Sequence, residues 1–304
     1  MKTPRFSVSR RTLLRAAAMA PGLRSAAAHS GEKAIRIGWA DWADAEAITC
    51  VAKLVLEEKL GYRVELVKAG VAQLFEGVAK GTLDLMLMAW LPQTHKALWQ
   101  PVAARTVDLG VLYSGTRIGW VVPGYVPESL VSIEDLNRPD VVARLGGRVH
   151  GIEPDSGLMR SSRKALEEYR LHGYQLAEGS DGKVVEALDR AFTGKEWVVA
   201  TAWTPHYMFS KYNLRYLRDP KGVFGGRESV HALGRAGIET DHPAVASLVR
   251  QIRITVSELE ALMYITQMRV FKGDVAMSTS ERTAKAWIDV HRNRVAAWAQ
   301  AATR

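Results

Sequence analysis

The sequence predicts an α/β protein of two lobes, each a mixed and mostly parallel sheet flanked by helices, joined by two crossings. Residues 34–89 alternate between strand-like and helix-like apolar spacing, which is typical of a parallel sheet with covering helices. The same alternation begins again after Pro123. Helical spacing then dominates the C-terminal end, so the first lobe is predicted to combine both ends of the chain.

The first lobe opens with a β-α-β-α-β pattern. The apolar spacing of residues 45–60 predicts a helix, and Gly61 suits the left-handed residue at which helices commonly end. The continuous apolar run from Leu85 to Met88 predicts a buried parallel strand. The predicted segments are strand 34–38, helix 45–60, strand 63–67, helix 71–79 and strand 85–89.

A crossing between lobes is predicted at Ser114-Gly115, which separates the β-rich segments 107–113 and 118–122. Beyond it we predict a helix in 132–136 capped by Ser132, strand 148–152, helices 157–169 and 182–192, and strand 197–202. Residues 230–237 are the predicted return crossing, followed by helices at 243–255, 257–271 and 281–299. The lobe boundaries are therefore placed at 33–118 with 228–304, and at 119–227.

The net charge of +9 suggests nucleic acid as a partner until its location is considered. Residues 1–28 contain six basic residues and no acidic one, so the rest has 35 basic against 32 acidic residues. A nearly neutral body argues against DNA or RNA binding. The single cysteine, Cys50, excludes a disulfide framework and a thiolate metal site. No metal and no cofactor is implied.

The N-terminal segment resembles a twin-arginine export signal. Arg10 and Arg11 precede a short, weakly apolar run and then Ser25-Ala26-Ala27-Ala28, which suits a cleavage site. The alternative is a basic disordered tail. Export would place the mature protein free in a periplasm, and no stretch of about 18 apolar residues predicts a membrane-embedded chain.

Three predicted strands each deliver a tryptophan at their carboxyl end, in residues 38–44 with Trp39 and Trp42, in residues 89–95 with Trp90, and in residues 202–206 with Trp203. Ligands of open α/β sheets bind at that edge. An indole face attracts a cation by about 2 kcal/mol or more when water is excluded, and several faces form a cage for a quaternary ammonium group. The alternative for Trp90 is a large core residue that covers the strand end.

Three indoles supply roughly 6 kcal/mol, whereas a micromolar dissociation constant needs about 8 kcal/mol. A second anchor is predicted in residues 151–158, where a strand runs into a helix whose free N–H groups suit an anion. His95 is a further candidate donor. The alternative is an ordinary β-α turn with Ser156 or Asp155 as the helix cap.

For an enzyme the sequence offers little, because it contains no GxSxG, P-loop, HExxH or GxGxxG motif. His150, Glu153 and Asp155 are close enough to serve as acid and base, but the same spacing suits an anion-binding turn. A periplasmic oxidoreductase exported by the twin-arginine route is the rival from another class. A third hypothesis is a sensor-type binding module that delivers its ligand to a receptor rather than to a permease.

A set of motifs resembles the substrate-binding proteins of glycine betaine, proline betaine and choline ABC transporters, a branch of the type II periplasmic binding proteins. The likeness extends from about residue 35 to residue 298. The segments that carry it are GWADWADAEAIT, KGTLDLMLMAWLPQTH, IGWVVPGYV, SIEDL, GIEPDSGLM, TAWTPHYMF and YLRDPKGVFG.

The resemblance implies that three aromatic residues, here Trp42, Trp90 and Trp203, box a trimethylammonium group. It further implies that the amides of Gly151 and Ile152 and the side chain of His95 hold a carboxylate. The lobes would close on a hinge, and the loaded protein would dock on a permease driven by a cytoplasmic ATPase. Glycine betaine is the first ligand implied, with choline and carnitine as alternatives.

Asp44 departs from the betaine pattern, because choline-selective members of the family place an aspartate two residues after the first cage tryptophan. Such a carboxylate favours a cation without its own negative tail. The alternative is that Asp44 only caps the helix predicted from Ala45. Trp39 and Tyr113 are further candidates for the rim or a fourth wall of the site.

Overall fold

The structure is a computed structural model that describes residues 34–269 and 277–303. The export signal predicted at residues 1–28 lies outside the described residues. None of the helices within them is both long and apolar enough to cross a membrane.

The described residues form an α/β structure. The strands are β1 (Ile35–Trp39), β2 (Val64–Lys68), β3 (Leu85–Leu91), β4 (Thr106–Pro123), β5 (Arg148–His150), β6 (Gln175–Ala177), β7 (Val199–Thr204), β8 (Leu214–Tyr216) and β9 (Glu228–Arg235). The helices are α1 (Ala43–Leu60), α2 (Val71–Ala79), α3 (Lys96–Trp99), α4 (Pro139–Leu145), α5 (Gly157–Glu168), α6 (Asp181–Gly194), α7 (Met208–Lys211), α8 (Ile238–Asp241), α9 (Pro243–Gln251), α10 (Val256–Met268), α11 (Thr279–Val290) and α12 (Arg292–Ala302).

The strands pair in the order β2-β1-β3-β9-β4-β7-β5-β6, and β8 pairs with β4. Strands β1, β2 and β3 run parallel, as do β5, β6 and β7, whereas β4 and β9 are antiparallel to their neighbours. The two mostly parallel groups confirm the predicted α/β class.

The first parallel group follows the sequence pattern closely. All seven residues of β3 are buried, as its apolar run predicts. Helix α1 ends where expected, because Gly61 adopts the left-handed conformation at φ 73° and donates its N–H to Glu57. The helix begins at Ala43, two residues before the predicted start.

The C-terminal helices α9 to α12 pack on α1, near the N-terminal end of the described residues. The stretch predicted as one helix at 281–299 is two helices that meet at His291. The N–H of His291 ends α11 by donating to Trp287, and α12 begins at the next residue.

The first crossing differs from the prediction, because β4 is one strand of 18 residues rather than two strands with a break. It pairs with β9 through Thr116 and with β7 from Arg117 onward. Gly115, at φ 86°, allows the backbone to turn between these partners without interrupting the strand.

One smaller prediction also needs correction. Ser132 does cap a helix, but that helix is a short 3-10 helix at Ile133–Asn137. Residues 230–235, within the predicted return crossing, belong to β9, which lies between β3 and β4.

Candidate functional site

One cavity lies where four elements meet: the carboxyl ends of β3 and β7 and the starts of α1 and α5. The empty space between its walls measures about 310 Å³, which includes a part open to solvent. Its walls are formed by Trp42, Asp44, Trp90, Thr94, His95, Ile118, Ile152, Ser156, Gly157, Leu158 and Trp203. All three tryptophans predicted for the cage therefore line the same space, and each is at most 8% exposed.

Two of the tryptophans are oriented by hydrogen bonds from their indole nitrogens. Trp42 Nε1 donates to Glu153 Oε2 at 3.1 Å, and Trp203 Nε1 donates to Asp44 Oδ1 at 2.9 Å. The edge of Trp203 is further packed by His206, with ring centroids 4.5 Å apart. Because their polar edges are satisfied by protein groups, these rings are held in fixed positions in the cavity wall.

Asp44 is fully buried in this wall and accepts a second hydrogen bond, from the Tyr113 hydroxyl at 2.8 Å. Burial raises the pKa of Asp44, although the hydrogen bonds from Tyr113 and Trp203 act in the opposite direction. The capping alternative is wrong, since Trp42 precedes the first residue of α1 and Asp44 bonds to side chains instead. Asp44 thus brings a buried carboxyl group into the cavity wall.

His95 is neutral in this site. Its Nδ1 accepts a hydrogen bond from the Trp90 N–H at 3.0 Å, so the ring proton of the neutral form lies on Nε2. Burial lowers the pKa of His95 to about 3, and the charge of Arg160 acts in the same direction. The ring stacks beside Trp42 at 6.0 Å. A hydrogen bond with the Met88 backbone acts on this pKa in the opposite direction, and His95 lines the cavity as an uncharged ring.

The turn before α5 contributes in a different way from the prediction. Ile152 lines the cavity, and within the described chain its N–H has no backbone acceptor. Gly151 does not line the cavity, and its N–H donates to the Ala177 carbonyl at 2.9 Å because pairing with β6 continues past the end of β5. Its amide is therefore engaged by the protein in this structure.

Ser156 both lines the cavity and caps α5, because its Oγ accepts the Met159 N–H at 3.2 Å. The capping alternative for Ser156 is thus confirmed. Capping uses only the acceptor capacity of the hydroxyl, so the Ser156 hydrogen remains available as a donor. The first N–H groups of α5 have no partner within the helix, which suits an anion at this end.

Two other candidates lie outside the cavity wall. Tyr113 stands behind Asp44 as its hydrogen-bond donor rather than as a fourth wall. Trp39 lies away from the lining, with Lys68 Nζ 5.5 Å from its ring.

The sequence analysis assigned no role to Asp181, Glu228 or His206. The Asp181 carboxylate accepts the Ala43 N–H at 3.1 Å and bonds His206 Nε2 at 2.9 Å, with His206 fully buried. Glu228 accepts the Thr94 N–H at 2.9 Å and so fixes the loop that carries His95. The contacts with Ala43 and Thr94 join residues more than 130 positions apart, and Asp181 and His206 are 25 positions apart, so no local pattern indicates them.

Comparison with known proteins gives a consistent result. The family model for the substrate binding domain of ABC-type glycine betaine transport systems matches residues 33–289. Lactococcal OpuAC, solved in a closed-liganded conformation with glycine betaine, is 32% identical, with 88% of this chain and 99% of that chain covered and a TM-score of 0.78. The glycine betaine/L-proline-binding protein ProX of Borrelia burgdorferi is 29% identical, covering 88% and 96%, with a TM-score of 0.80.

A curated relative, the glycine betaine/carnitine transport binding protein GbuC of Listeria monocytogenes, is 29% identical over 163 residues. That match covers 53% of this chain and 52% of the relative, so it spans about half the length of that protein.

Proposed function

Because the chain belongs to the family of substrate-binding domains of ABC-type glycine betaine transport systems, we propose that it captures glycine betaine and delivers it to an ABC permease. The permease would be driven by a cytoplasmic ATPase, and the chain itself would catalyse no reaction. The observation that carries the proposal is the cavity in which three tryptophans, a buried carboxylate and uncharged N–H donors meet.

The cation of the ligand would occupy the space between Trp42, Trp90 and Trp203. A trimethylammonium group has no N–H to donate, so indole faces satisfy it better than hydrogen-bond acceptors do. Asp44 adds a negative charge in the same wall. Three indoles at about 2 kcal/mol each supply roughly 6 kcal/mol of attraction.

The carboxylate of the ligand would be held by His95 Nε2–H, the Ile152 N–H and the start of α5. Each charge-assisted hydrogen bond adds about 1.5 to 3 kcal/mol. Two of them bring the total above the roughly 8 kcal/mol of a micromolar complex. Choline has no carboxylate to use these donors, and carnitine places its carboxylate farther from the nitrogen, so both remain the alternative ligands.

We propose lobes at 33–118 with 228–304 and at 119–227, which close over the ligand. Two contacts between these segments support closure: Trp42 with Glu153, and the Ala43 N–H with Asp181. Each would form only when the lobes meet. Export by the twin-arginine signal would place this binding step in the periplasm.

Titration calorimetry of the mature protein with glycine betaine, choline, carnitine and proline tests the proposal. We expect glycine betaine to bind with a dissociation constant of about micromolar or lower, and proline, which lacks methyl groups on nitrogen, to bind far more weakly. A folded protein that binds none of the quaternary amines would overturn the assignment.

Replacing His95 with phenylalanine should weaken glycine betaine about tenfold or more and choline by less, because the carboxylate loses a donor. The Trp90 N–H also loses its acceptor on Nδ1, and both ligands share that smaller effect. Choline is the internal control, since general damage to the cavity would weaken both ligands. The pKa of about 3 also predicts that His95 introduces no change in betaine affinity between about pH 5 and 8. Equal losses for both ligands in calorimetry would remove His95 from the carboxylate site.

A further inference from the structure

A basic groove opens beside the cavity and shares two wall residues with it, Thr94 and Gly157. The groove is also lined by the cationic side chains of Lys96, Arg160 and Lys164. Lys96 and Lys164 are exposed, whereas Arg160 is partly buried between the groove and the start of α5. The shared residues make Arg160 a near neighbour of the cavity.

The guanidinium of Arg160 is fixed by two backbone carbonyls. Nη1 donates to the Asp155 carbonyl at 2.5 Å, and Nη2 donates to the Thr94 carbonyl at 3.3 Å. The Asp155 side chain acts on Arg160 at longer range, but among the described residues no carboxylate forms an ion pair with Arg160. A partly buried, unneutralised positive charge therefore stands next to the residue that precedes His95.

The field of this charge reaches one part of the cavity. Arg160 contributes to the lowered pKa of His95, the donor assigned to the ligand carboxylate. The ionisable groups that act on the pKa of Asp44 at longer range are instead His206 and Asp181. The cavity thus combines a negative group beside Trp203 with a positive field at His95, which matches a ligand that carries both charges.

We propose that Arg160 is a specificity-determining residue that favours zwitterions of the betaine type over quaternary ammonium monocations, through its charge and without touching the ligand. This inference rests on the proposed function. A unit charge about 8 Å away in a medium of effective dielectric constant about 20 to 40 changes a binding constant by roughly tenfold. The carboxylate of a betaine gains that factor, and its ammonium group, which would lie farther from Arg160, is repelled by less. A monocation is only repelled.

The test measures the dissociation constants of glycine betaine and choline for Arg160→Gln by calorimetry at low salt. Glutamine removes the charge but keeps an amide donor for the two carbonyls. We expect the ratio of the betaine affinity to the choline affinity to fall roughly tenfold, with glycine betaine bound more weakly and choline bound more tightly. Arg160→Lys should retain the ratio of the wild type, because it keeps the charge and loses the fork of donors.

Lys164→Gln is the matched control, since Lys164 lies one turn later on α5, lines the same groove and is exposed. It should change either affinity by less than about twofold, because solvent screens its charge. Should Arg160→Gln fail to fold, Arg160→Met replaces it as the neutral variant. Where choline binding is too weak to measure, the betaine affinities of Arg160→Gln and Arg160→Lys are compared instead, and only the first should be weaker than that of the wild type.

Equal weakening of both ligands by Arg160→Gln, or an unchanged ratio, would overturn the proposal and leave Arg160 as a support for α5. Failure of the proposed function gives a different result, since the wild-type protein would then bind neither ligand.

Discussion

Replacing Trp203 with alanine is expected to raise the dissociation constant for glycine betaine by about 100-fold. The change removes one indole face, worth about 2 kcal/mol to an enclosed cation. It also removes the Nε1–H donor of Asp44, which leaves that buried carboxylate with Tyr113 as its remaining side-chain donor. The lost hydrogen bond to a buried group adds about 1 kcal/mol to the loss of binding free energy. Together the two effects raise the dissociation constant by about two powers of ten.

Trp197→Ala is the matched control, because Trp197 also lies next to β7 but outside the cavity, with Arg144 stacked 4.8 Å from its ring centre. That variant should keep its affinity for glycine betaine. Trp203→Phe keeps an aromatic face without the N–H and should fall between the wild type and the alanine variant. An alanine variant with a native circular dichroism spectrum and unchanged affinity would remove Trp203 from the site.

The positions of the three tryptophans could be predicted because they depend on local pattern. Each follows an apolar strand-like run, and the carboxyl ends of parallel strands meet at one edge of a sheet. His95 was predictable for the same reason, since it follows β3 within five residues of Trp90. All of these positions depend on where a strand ends, and the local sequence pattern predicts the strand ends without any knowledge of tertiary contacts.

The partners that orient these side chains could not be predicted. Glu153 and Asp181 reach Trp42 and Ala43 across more than 100 residues of sequence, and each contact depends on how the two halves meet. The engagement of the Gly151 amide by Ala177 likewise depends on the register of β5 with β6, which the sequence does not encode locally. The continuity of β4 escaped prediction because Ser114-Gly115 is typical of a loop, whereas pairing on both sides keeps it extended.

Asp44→Asn is expected to weaken choline by about 30-fold and glycine betaine by less. A carboxylate about 5 Å from a cation contributes about 2 kcal/mol at an effective dielectric constant of about 30, and asparagine keeps the size while removing the charge. Glycine betaine loses the same attraction, but its own carboxylate is also relieved of repulsion from Asp44. Calorimetry of the wild type and the variant with each ligand gives the change in the dissociation constant for choline and for glycine betaine.

The pH dependence of choline binding separates the charge of Asp44 from its role in holding Trp203 and Tyr113. Burial raises the pKa of Asp44, and a bound cation favours the ionised form, so choline binding should release a proton and weaken as the pH falls through that raised pKa. Without ligand, the stability of the folded protein depends on pH in the opposite sense. Because folding buries the Asp44 carboxylate, the free energy of unfolding decreases as the pH rises from the ordinary pKa of an aspartate through the raised pKa of Asp44. Asp44→Asn should abolish the part of the pH dependence that arises from this group. A variant that binds choline as the wild type does would assign Asp44 to orienting its two aromatic partners alone.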